Sequence, residues 1–283
     1  MFATALLLAA AAAAQDASLS ANKHQIKGDM HAPAMPPKWA DEFSGTKLDP
    51  RKWSFDTSRN KEGWYNGELQ YYAANRPENL RLENGILVIE ARNDADAIRR
   101  RRDYGGQKYS AAKITTKGKA AWTYGFYEIR AKVPCAYGTW PAIWMLPEGN
   151  VGWPKGGEID ILEHVGSAPN VAHANLHTQL FNHSIHTGRG AQLPSSGACE
   201  GFHRYQLDWR PDSIVIGMDD RAYMKVDNDQ PGGDGAWPFN KPFYMILNFA
   251  LGGDWAAPKG MDDKIFPQRF EVDYVRVWSG KSK

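Results

Sequence analysis

The chain has 283 residues, enough for a full hydrophobic core in one large or two small domains. Its 34 Lys and Arg against 32 Asp and Glu leave a net charge of +2, so nothing in the charge points to nucleic acid or an acidic membrane surface. Hydrophobic residues at 42% and charged residues at 23% exclude bulk disorder, and 2 cysteines exclude a disulfide framework or a zinc array. With 11 Trp, 12 Tyr, 11 Phe, 27 Gly and 17 Pro, the composition favours sheets and turns over helices.

Residues 1–14 (MFATALLLAAAAAA) are almost wholly apolar but too short to span a bilayer. They read as a secretory signal peptide cut near Ala14, although no basic residue opens the segment; a poly-Ala helical start is the alternative. No other long apolar stretch follows, so no membrane anchor is expected. Residues 15–37, with the proline-rich MHAPAMPP, read as a leader or an outer strand laid over the surface. Residues 38–280 show no break in composition and read as one domain. Export permits a disulfide, and Cys135 and Cys199 are the only pair available. Closing so long a loop would gain about 4 kcal/mol; two separate buried thiols are the alternative.

Period-2 patterns recur along the domain. Residues 81–83 and 86–90 flank Asn84-Gly85, a strong two-residue hairpin signal. In residues 124–133, Phe126, Glu128, Arg130 and Lys132 share one face, and Tyr127, Ile129, Ala131 and Val133 the other. Further strands are expected at 172–178, 203–209, 214–218, 243–250 and 270–278. No segment carries a long capped helical period. Short strands without crossover helices argue for an all-β fold, two antiparallel sheets packed face to face. The basic run Arg99–Arg102 stands among Asp94, Asp96 and Asp103, as a solvated loop does.

The most informative segment is Gly156-Gly-Glu158-Ile-Asp160-Ile-Leu-Glu163-His. Glu158 and Asp160 share a strand face, with Ile159 and Ile161 toward the core. Strict alternation would bury Glu163 among the isoleucines, at high cost. A β-bulge near Ile161-Leu162 turns both apolar residues inward and returns Glu163 to the acidic face. Three like charges in a row do nothing for stability. They suit glycoside hydrolysis by two carboxyls, Glu158 as nucleophile and Glu163 as acid/base, with Asp160 sharing a proton with Glu158. Opposed environments would leave Glu158 charged and Glu163 protonated near neutral pH. A solvated acidic strand or a calcium site are the other uses of such a row. Trp140, Trp144 and Trp153 lie close by in sequence, and indoles suit the apolar faces of sugar rings, with Trp144 as a floor residue.

Glu158-Ile-Asp160-Ile-Leu-Glu163 resembles the bulged E-x-D-x-x-E signature of glycoside hydrolase family 16, found in laminarinase-like members and in agarases and carrageenases. The likeness extends over about residues 39–278. It includes Asn66-Gly-Glu68-Leu-Gln70, Tyr124-Gly-Phe126-Tyr-Glu128-Ile-Arg130, the Trp140–Pro147 block, Leu247-Asn248-Phe-Ala-Leu-Gly252-Gly253-Asp-Trp255 and Val272-Asp273-Tyr-Val-Arg-Val-Trp278. The resemblance implies a concanavalin-like β-jelly roll of two curved antiparallel sheets, with the cleft across the concave one, and retaining, endo-acting hydrolysis. It implies sugar platforms at Trp140 and Trp153, a hydrogen-bond donor at Asn66, and a leaving-group role for His177, with orientation of Glu163 as its alternative. Glu128, Arg130 and Asn248 are further sugar-binding candidates, unless Glu128 and Arg130 pair with each other and Asn248 holds backbone. No cofactor is implied for catalysis. A structural calcium is implied on the convex side, held by Asp273 with carbonyls of Glu42 and Gly85.

Ala111-Ala112-Lys113 departs from the family, where Arg is frequent, and the 99–107 and 180–199 loops are particular to this chain. The expected activity is that of a secreted, monomeric endo-β-1,3-glucanase acting on laminarin-like or mixed β-1,3/1,4-glucans. Hydrolysis of another polysaccharide such as agarose or carrageenan, transglycosylation, and non-catalytic β-glucan binding are the rivals. Non-catalytic relatives usually lack one or both glutamates, and both are present here.

Overall fold

The computed structural model describes residues 23–279, so the 1–14 segment and the first part of the leader lie outside the described residues. Two sheets dominate. The smaller has seven strands, in the order Arg189–Pro194, Val171–His177, Glu158–His164, Thr139–Pro147, Phe243–Leu251, Lys113–Thr115 and Ser54–Phe55. The larger runs Gln25–Asp29, Arg221–Asp227, Ser213–Met218, His203–Trp209, Gly125–Lys132, Gln268–Trp278, Ile86–Asn93, Tyr109–Ala111 and Gln70–Tyr72. Trp39–Asp41 and Leu80–Glu83 pair beside that path. Pairing is antiparallel except between Gln70–Tyr72 and Tyr109–Ala111. Neighbours such as Thr139–Pro147 and Phe243–Leu251 are distant in sequence, as expected when the chain passes back and forth between the layers of a jelly roll.

Alternation explains the core. Tyr127, Ile129, Leu207 and Val275 from the larger sheet meet Ile143, Met145, Ile159, Leu176, Leu247 and Phe249 from the smaller, all in one buried cluster. The hairpin at Asn84-Gly85 forms as expected, with φ of 52° and 80° at the two turn residues and Glu83 opposite Ile86. Among the described residues, helix is confined to short pieces such as Ala95–Ile98 and Gly253–Ala256. Among the described residues, no helix is long and apolar enough to cross a membrane.

The leader contributes an edge strand. Gln25–Asp29 pairs with Arg221–Asp227 of the larger sheet, and the Gln25 Oε1 accepts from the Gln192 N–H of the smaller sheet at 3.3 Å. The folded unit therefore begins before residue 38, and this segment joins the edges of both layers.

Cys135 and Cys199 form a disulfide with Cα atoms 5.7 Å apart. It ties the approach to Thr139–Pro147 to the loop beyond Arg189–Pro194. The bond closes a loop of 64 residues. Reduction should therefore destabilise the protein by about 4 kcal/mol. Thermal melts with and without dithiothreitol check this, and an unchanged melting temperature would contradict it.

Candidate active site

The site is built on the outward face of the smaller sheet. The chain enters the acidic strand through Gly157, whose φ is 88° and where a Cβ would lie 2.7 Å from Pro238 Cγ. Only glycine fits there. The bulge then appears where the apolar pattern demands it. Asp160 pairs with Trp144, Leu162 pairs with Ile143, and Ile161 is the extra residue. The register on the other side shifts at the same place, between Asp160 and Glu163. Ile161 and Leu162 are both fully buried, and Glu158, Asp160 and Glu163 share the outward face.

The neighbouring strand Val171–His177 supplies a polar residue opposite each acid: His177 faces Glu158, Asn175 faces Asp160 and His173 faces Glu163. Glu163 receives two N–H donors, Asn175 Nδ2 at 2.9 Å and Trp140 Nε1 at 3.2 Å. His177 Nε2 lies 3.3 Å from Asp160 Oδ2 and 3.9 Å from Glu158 Oε1. It therefore belongs with the nucleophile side rather than with Glu163. Gly190, on the next strand, lets Asn175 reach its place; a Cβ at that glycine would lie 2.0 Å from Asn175 Oδ1.

Burial raises all three acids above the ordinary carboxylate range. For Glu158 the negative charge of Asp160 adds to burial, and for Asp160 that of Glu163. At Glu163 the charge of His177 and the two N–H donors partly oppose burial. The expectation of a charged Glu158 beside a protonated Glu163 is thus not met by separate environments. In the free protein the donors that favour a charged carboxylate sit on Glu163, and like charge in the row raises Glu158 and Asp160 further.

The aromatic and polar candidates separate into three groups. Trp153 is 43% exposed and borders the acids beside His177, with ring centroids 6.0 Å apart, as a platform requires. Asn66 is exposed at φ 58°, and its Nδ2 donates to Glu68 Oε1 at 3.4 Å. Trp144 is half-buried in the floor; its Nε1 donates to Asn248 Oδ1 at 2.6 Å. An open groove of about 320 Å³ continues from this floor, lined by Leu146, Trp153, Tyr244 and Lys117 among others.

Trp140 is a correction. It is only 7% exposed, packs edge-on against Trp255 and directs its N–H at Glu163, so it holds the acid in place rather than offering an open face. Asn248 is also corrected: it is buried, takes the Trp144 N–H and donates to the Tyr72 hydroxyl at 2.9 Å. Glu128 and Arg130 are not sugar contacts at all. They lie on the outer face of the larger sheet, across the sandwich from the acids. Glu128 accepts from Gln206 and Tyr274, each at 2.8 Å, and Arg130 pairs with Asp273.

The same ion pair bears on calcium. Register brings Glu42 and Gly85 to either side of the irregular stretch around Asp273. However, the Asp273 carboxylate is taken by Arg130 and that of Glu42 by Arg276, at 2.8 and 2.9 Å. Calcium takes six to eight oxygens. Here the one carboxylate expected to hold calcium is engaged by a guanidinium, and no role is derived for a metal there.

Several residues of the site escaped the sequence reading. Asn175 and His173 were legible in principle, since alternation from His177 puts them on its face. Trp255 backs Trp140 and packs on His173 at 4.8 Å. Trp64 and Trp144 flank the Lys113 ammonium at 4.5 and 5.2 Å, and Asp56 pairs with it at 3.0 Å. Glu68, raised by burial, accepts from Gln70 at 2.8 Å.

His173 carries a stability consequence. Burial lowers it from 6.5 to about 4, so the unfolded chain takes up this proton first as pH falls. Its contribution is complete above about pH 6.5 and is lost toward pH 4. In His173→Phe the decline of melting temperature over that interval should be shallower than in the parent; parallel slopes would contradict the assignment.

A model of the glycosyl hydrolases family 16 matches residues 68–276. A β-glucanase from Rhodothermus marinus is 45% identical over 249 residues, spanning 85% of this chain and 84% of that protein. Among solved structures, a non-specific endo-β-1,3(4)-glucanase of the same family superposes with a TM-score of 0.87 at 49% identity, over 92% of this chain and 97% of that one. The laminarinase from Rhodothermus marinus gives 0.80 at 43% identity, over 88% and 99%. The acidic strand, its bulge and the sandwich that carries it are those of a protein that belongs to glycoside hydrolase family 16.

Proposed function

We propose that the protein is a retaining endo-hydrolase of β-1,3-glucosidic linkages in laminarin-like or mixed β-1,3/1,4-glucans. The observation that carries this reading is the bulge that places Glu158 and Glu163 on one face with Asp160 between them. The relatives named as β-glucanase and laminarinase support the substrate class. A neutral glucan also suits the cleft chemistry, because the floor cation Lys113 is already paired with Asp56 and is not free for sulfate.

In the first step the Glu158 carboxylate attacks the anomeric carbon while the Glu163 proton passes to the departing oxygen. The proton shared between Glu158 and Asp160 rests on Asp160 at that moment, which leaves the nucleophile charged. In the second step Glu163, now charged, takes a proton from water, and the hydroxide oxygen releases the glycosyl group from Glu158. Trp140 and Asn175 stabilise that charged Glu163, so the free protein already holds the donors needed between the two steps. Trp153 offers an exposed face to a sugar ring, and a monomer is the default for an enzyme of this kind. A polymeric substrate also accords with a secreted enzyme, the reading of residues 1–14.

Glu158→Gln should lower kcat on laminarin by roughly 10⁴-fold or more. Its melting temperature should hold or rise, because a buried like charge is removed. Product analysis over laminarin, mixed-linkage glucan, agarose, κ-carrageenan, xyloglucan and xylan tests the substrate. Short β-1,3-linked oligosaccharides from laminarin are expected; products from agarose or carrageenan alone would overturn the glucan reading. Asn175→Ala and Trp140→Phe each remove a donor that favours charged Glu163. The general acid should then stay protonated to higher pH, moving the basic limb of the kcat profile upward, with kcat falling about tenfold. An unmoved limb would separate these residues from the acid.

A further inference from the structure

We propose that Glu158, Asp160 and His177 form a site for a zinc-class divalent transition-metal ion, through which such an ion reversibly silences the nucleophile. This rests on the catalytic reading of the same strand, but the site itself is defined by geometry. One oxygen from each acid and Nε2 of the imidazole lie within 4.8 Å of one another. The imidazole Nε2 lies 3.3 Å from the Asp160 oxygen and 3.9 Å from that of Glu158. Tetrahedral zinc, with bonds of about 2.0–2.2 Å, holds its ligand atoms roughly 3.3–3.6 Å apart. Side-chain adjustment of a few tenths of an ångström to about an ångström closes the set.

One buried atom points into the set, and another bears on how firmly an ion would be held. Asp160 is 3% exposed, and its Oδ2, the oxygen facing His177, makes no hydrogen bond. His177 is 6% exposed, and its Nδ1 likewise has no hydrogen-bond partner. Buried polar atoms without partners are costly, and a cation between the two acids and the ring would engage Asp160 Oδ2 while relieving the repulsion between carboxylates.

The donor chemistry selects the ion. One imidazole nitrogen with two carboxylate oxygens suits zinc and copper(II), whereas magnesium and calcium need about six or more oxygens. Three protein ligands leave a fourth position for water. Because Nδ1 of His177 lacks the acceptor that usually orients a metal-bound histidine, binding should be reversible rather than structural. Zinc on the Glu158 carboxylate would draw away the charge with which it attacks the sugar, so bound metal and glycosylation oppose each other. A second cluster of Cys135, His164 and Cys199 has comparable spacing, but its sulfurs are joined to each other.

Zinc chloride titrated into the full chain by calorimetry, cobalt(II) absorption spectra and laminarin hydrolysis in the same buffer test the proposal. One equivalent of zinc should bind, cobalt should develop visible bands of low coordination number, and hydrolysis should fall and return on addition of EDTA. His177→Gln should weaken zinc binding at least about tenfold. His31→Ala, at an exposed position on the leader, should leave it unchanged. Glu158→Gln should also weaken binding, read by calorimetry alone, and melting curves establish that each variant is folded. No saturable binding, equal affinity in His177→Gln, or binding without loss of hydrolysis would overturn the proposal. Calorimetry needs no substrate, so failure of the glucan reading leaves the metal result intact. Conversely, hydrolysis of laminarin untouched by zinc removes only the metal site.

Discussion

The requirement that Ile161 and Leu162 both be buried governs the site. Each is fully enclosed, and a regular strand can turn only one of two consecutive residues inward. The register shift that satisfies both returns Glu163 to the face that Glu158 and Asp160 already occupy. The hydrophobic core therefore sets the catalytic spacing. The surrounding residues follow from that placement: Asn175 and Trp140 meet the displaced carboxylate, and Gly190 yields the volume Asn175 occupies.

Three acids on a largely buried face would repel one another and lose hydration. The protein answers with direct partners rather than with distance. Two N–H groups reach Glu163, and an imidazole stands beside Asp160 and Glu158. Around this centre the indoles do different jobs. Trp153 stays exposed, Trp144 is fixed by Asn248, and Trp140 is withdrawn against Trp255 to hold the acid. A carbohydrate cleft needs apolar faces, but it also needs its charged groups held still, and tryptophan serves both needs with its two ends.

Much of this was legible in the chain. The hairpin at Asn84-Gly85, the inward face of 124–133 and the bulge all follow from period-2 patterning. What alternation cannot say is which sheet a strand joins. Glu128 and Arg130 lie on a polar face, as read, but on the far layer. Trp140 and Asn248 sit on the correct sheet, and their roles depended on neighbours from distant segments, Trp255 and Tyr72, that sequence spacing does not reveal. The donors to Glu163 were hidden for the same reason, because they come from two different strands.

The site also crosses its strands instead of following one. His177, Glu158, Trp144, Asn248 and Lys113 come from five adjacent strands of the smaller sheet, each contributing one step across the concave surface. A polymer laid across the strands would meet a new segment of the chain at each strand it crosses. Exchanges on one outer strand can then retune a single position along the polymer while the acidic strand and its bulge stay as they are. Divergence in preferred linkage pattern is thereby uncoupled from the chemistry.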